Sequence, residues 1–204
     1  MLSTKIAGIV LCGGRSRRMG SLKWQLPFGG QTVLQRVLES VSAVASPVIV
    51  VGSNELPVPE LPAGCSFVAD ETAFPGPLHA LLRGLAQMPD EVEAVYLTGC
   101  DAPLLTPAFI SAVCNSLREG FEIAAVSDGT HAQPLAAVYR TSVLSTAHEL
   151  TDKGERSLQA LLKACRTQLI HEDEFRSADP RLLSLRNMNT EDEYRDLLRE
   201  IVEC

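Results

Sequence analysis

The chain predicts an α/β fold, three layers around a mostly parallel, Rossmann-like sheet. Three observations carry this. Short unbroken apolar runs recur (Ile6–Cys12, Val48–Gly52, Ala94–Thr98), as strands covered on both faces require. Stretches with apolar residues at helical spacing alternate with these runs. The runs end in glycines, acids and asparagines, and sheets of this kind bind ligands beyond the carboxyl ends of their strands.

The elements follow in order. Ile6–Cys12 reads as a buried strand. Thr32–Ala45 reads as a helix, with Val33, Leu34, Val37, Leu38, Val41 and Val44 on one face. Thr32 and Gln35 stand at capping-box spacing at its start. Val48–Gly52 is the second strand, Pro57 to Pro62 a loop and Cys65–Ala69 a third strand. Pro77–Met88 is a helix with proline in its first turn. Ala94–Thr98 is a strand, and Pro107–Leu117 a helix capped by Thr106. Ile123–Ser127 and Leu135–Tyr139 are strands, and the turn Asp128-Gly129-Thr130 between them allows an antiparallel pair. Helices at Ser142–Leu150 and Ser157–Cys165, a strand at Gln168–His171 and a helix over Asn189–Val202 complete the pattern. Thr190 and Glu193 again have capping-box spacing.

The 204 residues read as one domain, 1–204, with 46% hydrophobic and 21% charged content. A net charge of −7 argues against a general nucleic-acid binder. No apolar run approaches the ~18 residues of a membrane span. Met1–Lys5 has no apolar core of a signal peptide, so a cytoplasmic location is expected. Six scattered cysteines (Cys12, Cys65, Cys100, Cys114, Cys165, Cys204) form no C-x-x-C pair, which predicts free thiols.

The densest chemical signal follows the first strand. Leu11-Cys12-Gly13-Gly14-Arg15-Ser16-Arg17-Arg18-Met19-Gly20 is followed by Lys23. The paired glycines let the backbone turn tightly and approach a ligand, and four cationic side chains follow within nine residues. Strand, glycine turn and cations make a cradle for polyphosphate. The string is neither a P-loop nor a dinucleotide fingerprint, because the glycines are adjacent and Gly20 comes six residues after Gly14. The plain alternative is a strand–helix turn with solvated arginines.

Asp101 follows the run Val95–Thr98 in Gly99-Cys100-Asp101-Ala102-Pro103-Leu104. A carboxylate at a strand end suits Mg²⁺, which takes few protein oxygens and completes its shell with water and phosphates. The alternative is a turn aspartate bonded to its own backbone. Asp70 also ends a strand and is ambiguous between cap, turn and ligand contact. Asn54 is as readily a turn residue, and Asn189 as readily a helix cap. No histidine has ligand spacing, and Trp24 reads as a core aromatic.

The string Leu-x-Gly-Gly-x-Ser-x-Arg-Met-Gly-x-x-Lys over Leu11–Lys23 resembles the signature of molybdenum cofactor guanylyltransferases of the MobA type, within nucleotidyltransferases of GT-A-like fold. Cys12 stands where that family usually has Ala. Leu22 stands where the guanylyl branch usually has Asp, which blurs the choice between it and the cytidylyl branch; the Gly13-Gly14 pair favours guanylyl. The resemblance implies transfer of GMP from GTP to molybdopterin or molybdenum cofactor, with Mg²⁺ as cofactor. It implies catalytic roles for Lys23, Arg18 and Asp101. Nucleotide contacts would come from Leu11, Cys12, Gly13, Gly14, Arg15, Ser16, Lys23, Asn54, Asp70 and Asp101. Asp101 would hold the metal, with Asn187 of the Asn-x-Asn-Thr segment touching metal or pterin. Gln133-Pro134-Leu135 resembles the border of the acceptor pocket. The partners implied are these substrates and, transiently, proteins that deliver the cofactor, with no nucleic acid or membrane. The rival readings are a CTP-using cytidylyltransferase, a sugar-phosphate nucleotidyltransferase and a non-catalytic nucleotide-binding regulator.

Overall fold

Ile6–Cys12 forms strand β1, and every neighbour it gains is explained by an apolar run elsewhere in the chain. In this computed structural model, residues 5–13, 22–53, 55, 57–70 and 76–202 are described. After β1 come a two-residue hairpin, β2 (Pro27–Phe28) and β3 (Gln31–Thr32), and helix α1 (Val33–Ser42). Then follow β4 (Val48–Gly52), β5 (Cys65–Ala69), α2 (Pro77–Leu85), β6 (Ala94–Gly99) and α3 (Pro107–Asn115). The chain continues through β7 (Ile123–Ser127), β8 (Ala132–Arg140), α4 (Leu144–Asp152), α5 (Leu158–Ala164), β9 (Thr167–His171) and α6 (Glu191–Val202).

The main sheet has seven strands in the order β5-β4-β1-β6-β8-β7-β9. β1 pairs in parallel with β4 and β6, β4 with β5, and β7 with β9. β8 runs antiparallel to β7, as the short Asp128–Thr130 turn requires, and also to β6. From β1 the chain moves outward through β4 to β5, then returns to the other side of β1 at β6. The crevice at that reversal, between β1 and β6, is where ligands of such sheets sit.

Two apolar clusters sandwich the sheet. On one face Leu34, Val37, Leu38 and Val41 of α1 join Phe109, Ile110 and Val113 of α3. On the other, Leu78, Leu81 and Leu85 of α2 meet Ala147 of α4 and Leu158, Leu161 and Leu162 of α5. A third, smaller cluster contains Phe28, Val33, Leu104, Met188 and Leu197, with Tyr194, Leu198 and Ile201 packed against it. It fastens α6 to the hairpin that follows the glycine turn.

Local signals act as read. Thr32 Oγ1 accepts from Gln35 N while Gln35 Oε1 accepts from Thr32 N, a complete capping box. Thr106 caps α3 through Phe109 N. α1, α2 and α3 end before the bounds read from their periodicity, since their last turns tighten; α4 starts and ends two residues later than Ser142–Leu150, and β8 is longer than Leu135–Tyr139. The β2–β3 hairpin was not foreseen, because two-residue strands leave no alternation to detect. The final helix begins at Glu191 rather than Asn189. Thr190 takes the capping role, with Oγ1 accepting from Glu193 N at 3.2 Å. No helix among the described residues is long and apolar enough to cross a membrane.

Candidate nucleotide site at the strand ends

β1, β4, β5 and β6 all end at the same edge, so register alone gathers the residues that follow them. Gly13 leaves β1 beside Asp70: a Cβ placed on Gly13 would lie 3.9 Å from Asp70 Oδ2. Asp70 N donates to Gly52 O at 2.8 Å, which ties the end of β5 to that of β4. The Asp70 side chain is buried, and its Oδ1 has no hydrogen-bond partner among the described residues. Burial pushes its pKa up to about 6, against the opposing pull of the Arg83 guanidinium.

Asp101 comes two residues after β6. A Cβ on Gly99 would collide with Asp101 Oδ1, so the carboxylate folds back over a strand end that only glycine leaves open. The Asp101 carbonyl accepts from Met188 N at 2.9 Å, joining this turn to the segment before α6. Burial raises the Asp101 pKa; the Lys23 ammonium opposes that, and the Glu193 charge adds to it. Asp101 and Lys23 therefore share one electrostatic environment.

Lys23 opens a 3-10 turn, Lys23–Gln25, and its Nζ donates to Asn189 Oδ1 at 2.9 Å. Trp24 beside it is buried in the same cluster as Val10 and Cys12, a core aromatic as expected. Cys12 and Cys100 lie side by side beneath the site. A hydrogen bond with Cys12, together with burial, holds the Cys100 thiol well above its usual range. The Leu11 carbonyl accepts from Cys100 N at 3.0 Å. All five cysteines among the described residues are free.

Gln133-Pro134-Leu135 also reaches this edge. The β7–β8 register runs from Ala125↔Ala137 to Val126↔Gln133, so residues 134–136 bulge out of the ladder. Leu135 Cδ1 lies 3.6 Å from where a Gly99 Cβ would be. Gly14, Arg15, Ser16, Arg17, Arg18 and Asn54 lie outside the described residues. Asn187 is exposed. Among the described residues it is Asn189, not Asn187, that is bonded to a site residue, and sequence reading passed it over as a cap. The Thr190–Glu193 spacing held the clue: once Thr190 caps the helix, the Asn189 side chain is released from that task.

A glycine, a lysine and two carboxylates lie at the topological switch point of an α/β sheet, the place where this class of fold takes its ligands. Molybdopterin-guanine dinucleotide biosynthesis protein A from Archaeoglobus fulgidus superposes with a TM-score of 0.80 at 18% identity, over 97% of this chain and 100% of that one. The 2-C-methyl-D-erythritol 4-phosphate cytidylyltransferase from Thermus thermophilus superposes at 0.69 with 14% identity, over 97% of this chain and 98% of that one. The chain belongs to the MobA-like NTP transferase domain family, which matches residues 8–170. A Mycobacterium avium protein named "Probable molybdenum cofactor guanylyltransferase" is 36% identical over 200 residues, covering 96% of each chain. A Desulfosudis oleivorans protein named molybdenum cofactor guanylyltransferase is 28% identical over 189 residues, covering 92% of each.

Proposed function

We propose that this protein transfers GMP from GTP to molybdopterin or molybdenum cofactor and releases pyrophosphate, acting in the cytoplasm. The observation that carries the proposal is the placing of two pairs, Gly13 with Asp70 and Lys23 with Asp101, at one sheet edge, in a chain whose relatives over nearly their whole length are named molybdenum cofactor guanylyltransferase. An acceptor phosphate oxygen bonds to the α-phosphorus of GTP, the α–β bridge breaks, and its electrons leave with pyrophosphate. The attacking oxygen is already ionised at neutral pH, so no general base is needed. The task is alignment and neutralisation of charge.

Lys23 holds the departing phosphates, together with Arg18 and the Gly13–Ser16 amides. Asp70 faces the base: a buried carboxylate with an open lone pair suits the adjacent N1–H and N2–H₂ donors of guanine, which cytosine lacks. This supports GTP over CTP. Asp101 offers a hard oxygen at an open strand end, and no group of three His, Cys, Asp or Glu among the described residues forms a cage. That fits Mg²⁺, which shares its shell with substrate phosphates and, when bound, neutralises them. Asn187, exposed on the same segment, is the further candidate for metal or pterin.

Thermal melting with Mg²⁺ and each of GTP, CTP, ATP and UTP tests the proposal. At a hundredfold excess over Kd, a ligand of the folded state adds about 2.7 kcal/mol. A shift selective for GTP is expected. A shift selective for CTP would move the assignment to the cytidylyl branch, and no shift with any nucleotide would overturn it.

A further inference from the structure

Three contacts run from the segment 188–194 to the neighbourhood of Lys23 and Asp101, and a fourth braces the segment from within. Asn189 Oδ1 accepts from Lys23 Nζ at 2.9 Å. Met188 N donates to Asp101 O at 2.9 Å. The Tyr194 hydroxyl donates to the carbonyl of Pro27, four residues after Lys23. Glu193 Oε2 accepts from Asn189 N and Thr190 N at 2.6 and 2.8 Å. Behind them Met188 and Leu197 are fully buried against Phe28 and Val33 in the third cluster.

A lysine side chain has four rotatable bonds, and a flexible cation aligns a phosphate poorly unless something limits it. Asn189 supplies one such limit. Its amide oxygen meets the ammonium, and Glu193 fixes its backbone by bridging two N–H groups ahead of the helix. The helix cap itself is made by Thr190, so Asn189 is spared that role.

We infer that Asn189, fixed by Glu193, is a positioning residue that sets the Lys23 ammonium beside Asp101 for the phosphates of the nucleotide. This rests on the phosphate-holding role proposed for Lys23. It assigns the start of α6 to the chemistry, as well as to packing.

The experiment compares Asn189→Ala, Glu193→Ala, Glu193→Gln and Thr190→Ala by calorimetric titration with inorganic pyrophosphate, by melting temperature, and by kcat and KM for GTP. The Lys23 Nζ resonance is followed in ¹⁵N-labelled protein, where the chain has only four lysines. Asn189→Ala is expected to leave the melting temperature nearly unchanged. It should weaken pyrophosphate and lower kcat by about ten- to a hundredfold, the scale of a 1 Å misplacement. It should also expose the Lys23 resonance to exchange with water. Glu193→Ala should do the same more weakly, and Glu193→Gln should restore binding because its amide oxygen accepts the same two N–H groups. Thr190→Ala should lower the melting temperature and keep pyrophosphate affinity. Unchanged affinity in Asn189→Ala, or equal loss in Thr190→Ala, would overturn the inference. Wild-type protein that ignores pyrophosphate would instead overturn the role of Lys23 as phosphate holder. The Nζ resonance then still decides the matter: an Nζ signal indifferent to Asn189→Ala sinks the inference on its own.

Discussion

Asp70 is a charge placed where the folded chain does not welcome it. Its pKa of about 6 exceeds the unfolded value of 3.8, so between those two pH values the folded state holds a proton that the unfolded state has lost. Stability therefore falls as pH rises through that window, and the deficit is complete above it. Asp70→Asn should raise stability at pH 7.5 by about 1–3 kcal/mol. The gain should vanish below pH 4, while GTP affinity drops; denaturant melts at the two pH values check this. At the neighbouring strand end, Gly99→Ala should push the Asp101 carboxylate out of place. Turnover should fall at least tenfold with the protein still folded, as kinetics and circular dichroism would report. Lys23→Ala should lose far more rate than Lys163→Ala, a change at the end of α5 remote from the strand ends. Equal rates in the two variants would remove Lys23 from the chemistry.

At the scale of elements, what was legible in the sequence was whatever depends on neighbours along the chain. β1, β4 and β7 have the bounds of their apolar runs because both faces of these strands are covered; edge strand β5 keeps its bounds too, although Ser66 within it is exposed. The Thr32 box was legible because its partners are three residues apart. Thr32→Ala should cost about 1 kcal/mol, read as a lowered midpoint in urea, without altering nucleotide affinity. The β2–β3 hairpin and the break in β8 were not legible. Both are set by tertiary pairing, the hairpin by α6 and the bulge by the end of β6. The site divides the same way. Gly13, Asp70 and Asp101 could be read because each ends a run, and parallel strands bring run ends together. The bond of Asn189 to Lys23 could not, because its partners stand 166 residues apart; the Thr190–Glu193 spacing shows only that Asn189 is spared as a cap.

Over the whole molecule, the two large clusters hold the sheet between α1 and α3 on one side and α2, α4 and α5 on the other. The third cluster is separate and includes α6. A chain cut after residue 186 should keep its sheet by circular dichroism. It should lose the thermal shift with GTP, since Phe28, Val33 and Leu104 are stripped of their cover and Lys23 of Asn189. Retention of the full shift would mean that α6 is packing alone.

That separation has a consequence for the birth of the protein. Translation adds about 5–20 residues per second, so roughly 10–30 s pass between the making of Lys23 and the making of its anchor. During that interval the strands made first, β1, β4, β5 and β6, can pair before the contact between Lys23 and Asn189 exists. The nascent chain thus pairs its first strands before α6 covers Phe28 and Val33, and the contact of Asn189 with Lys23 is among the last to form.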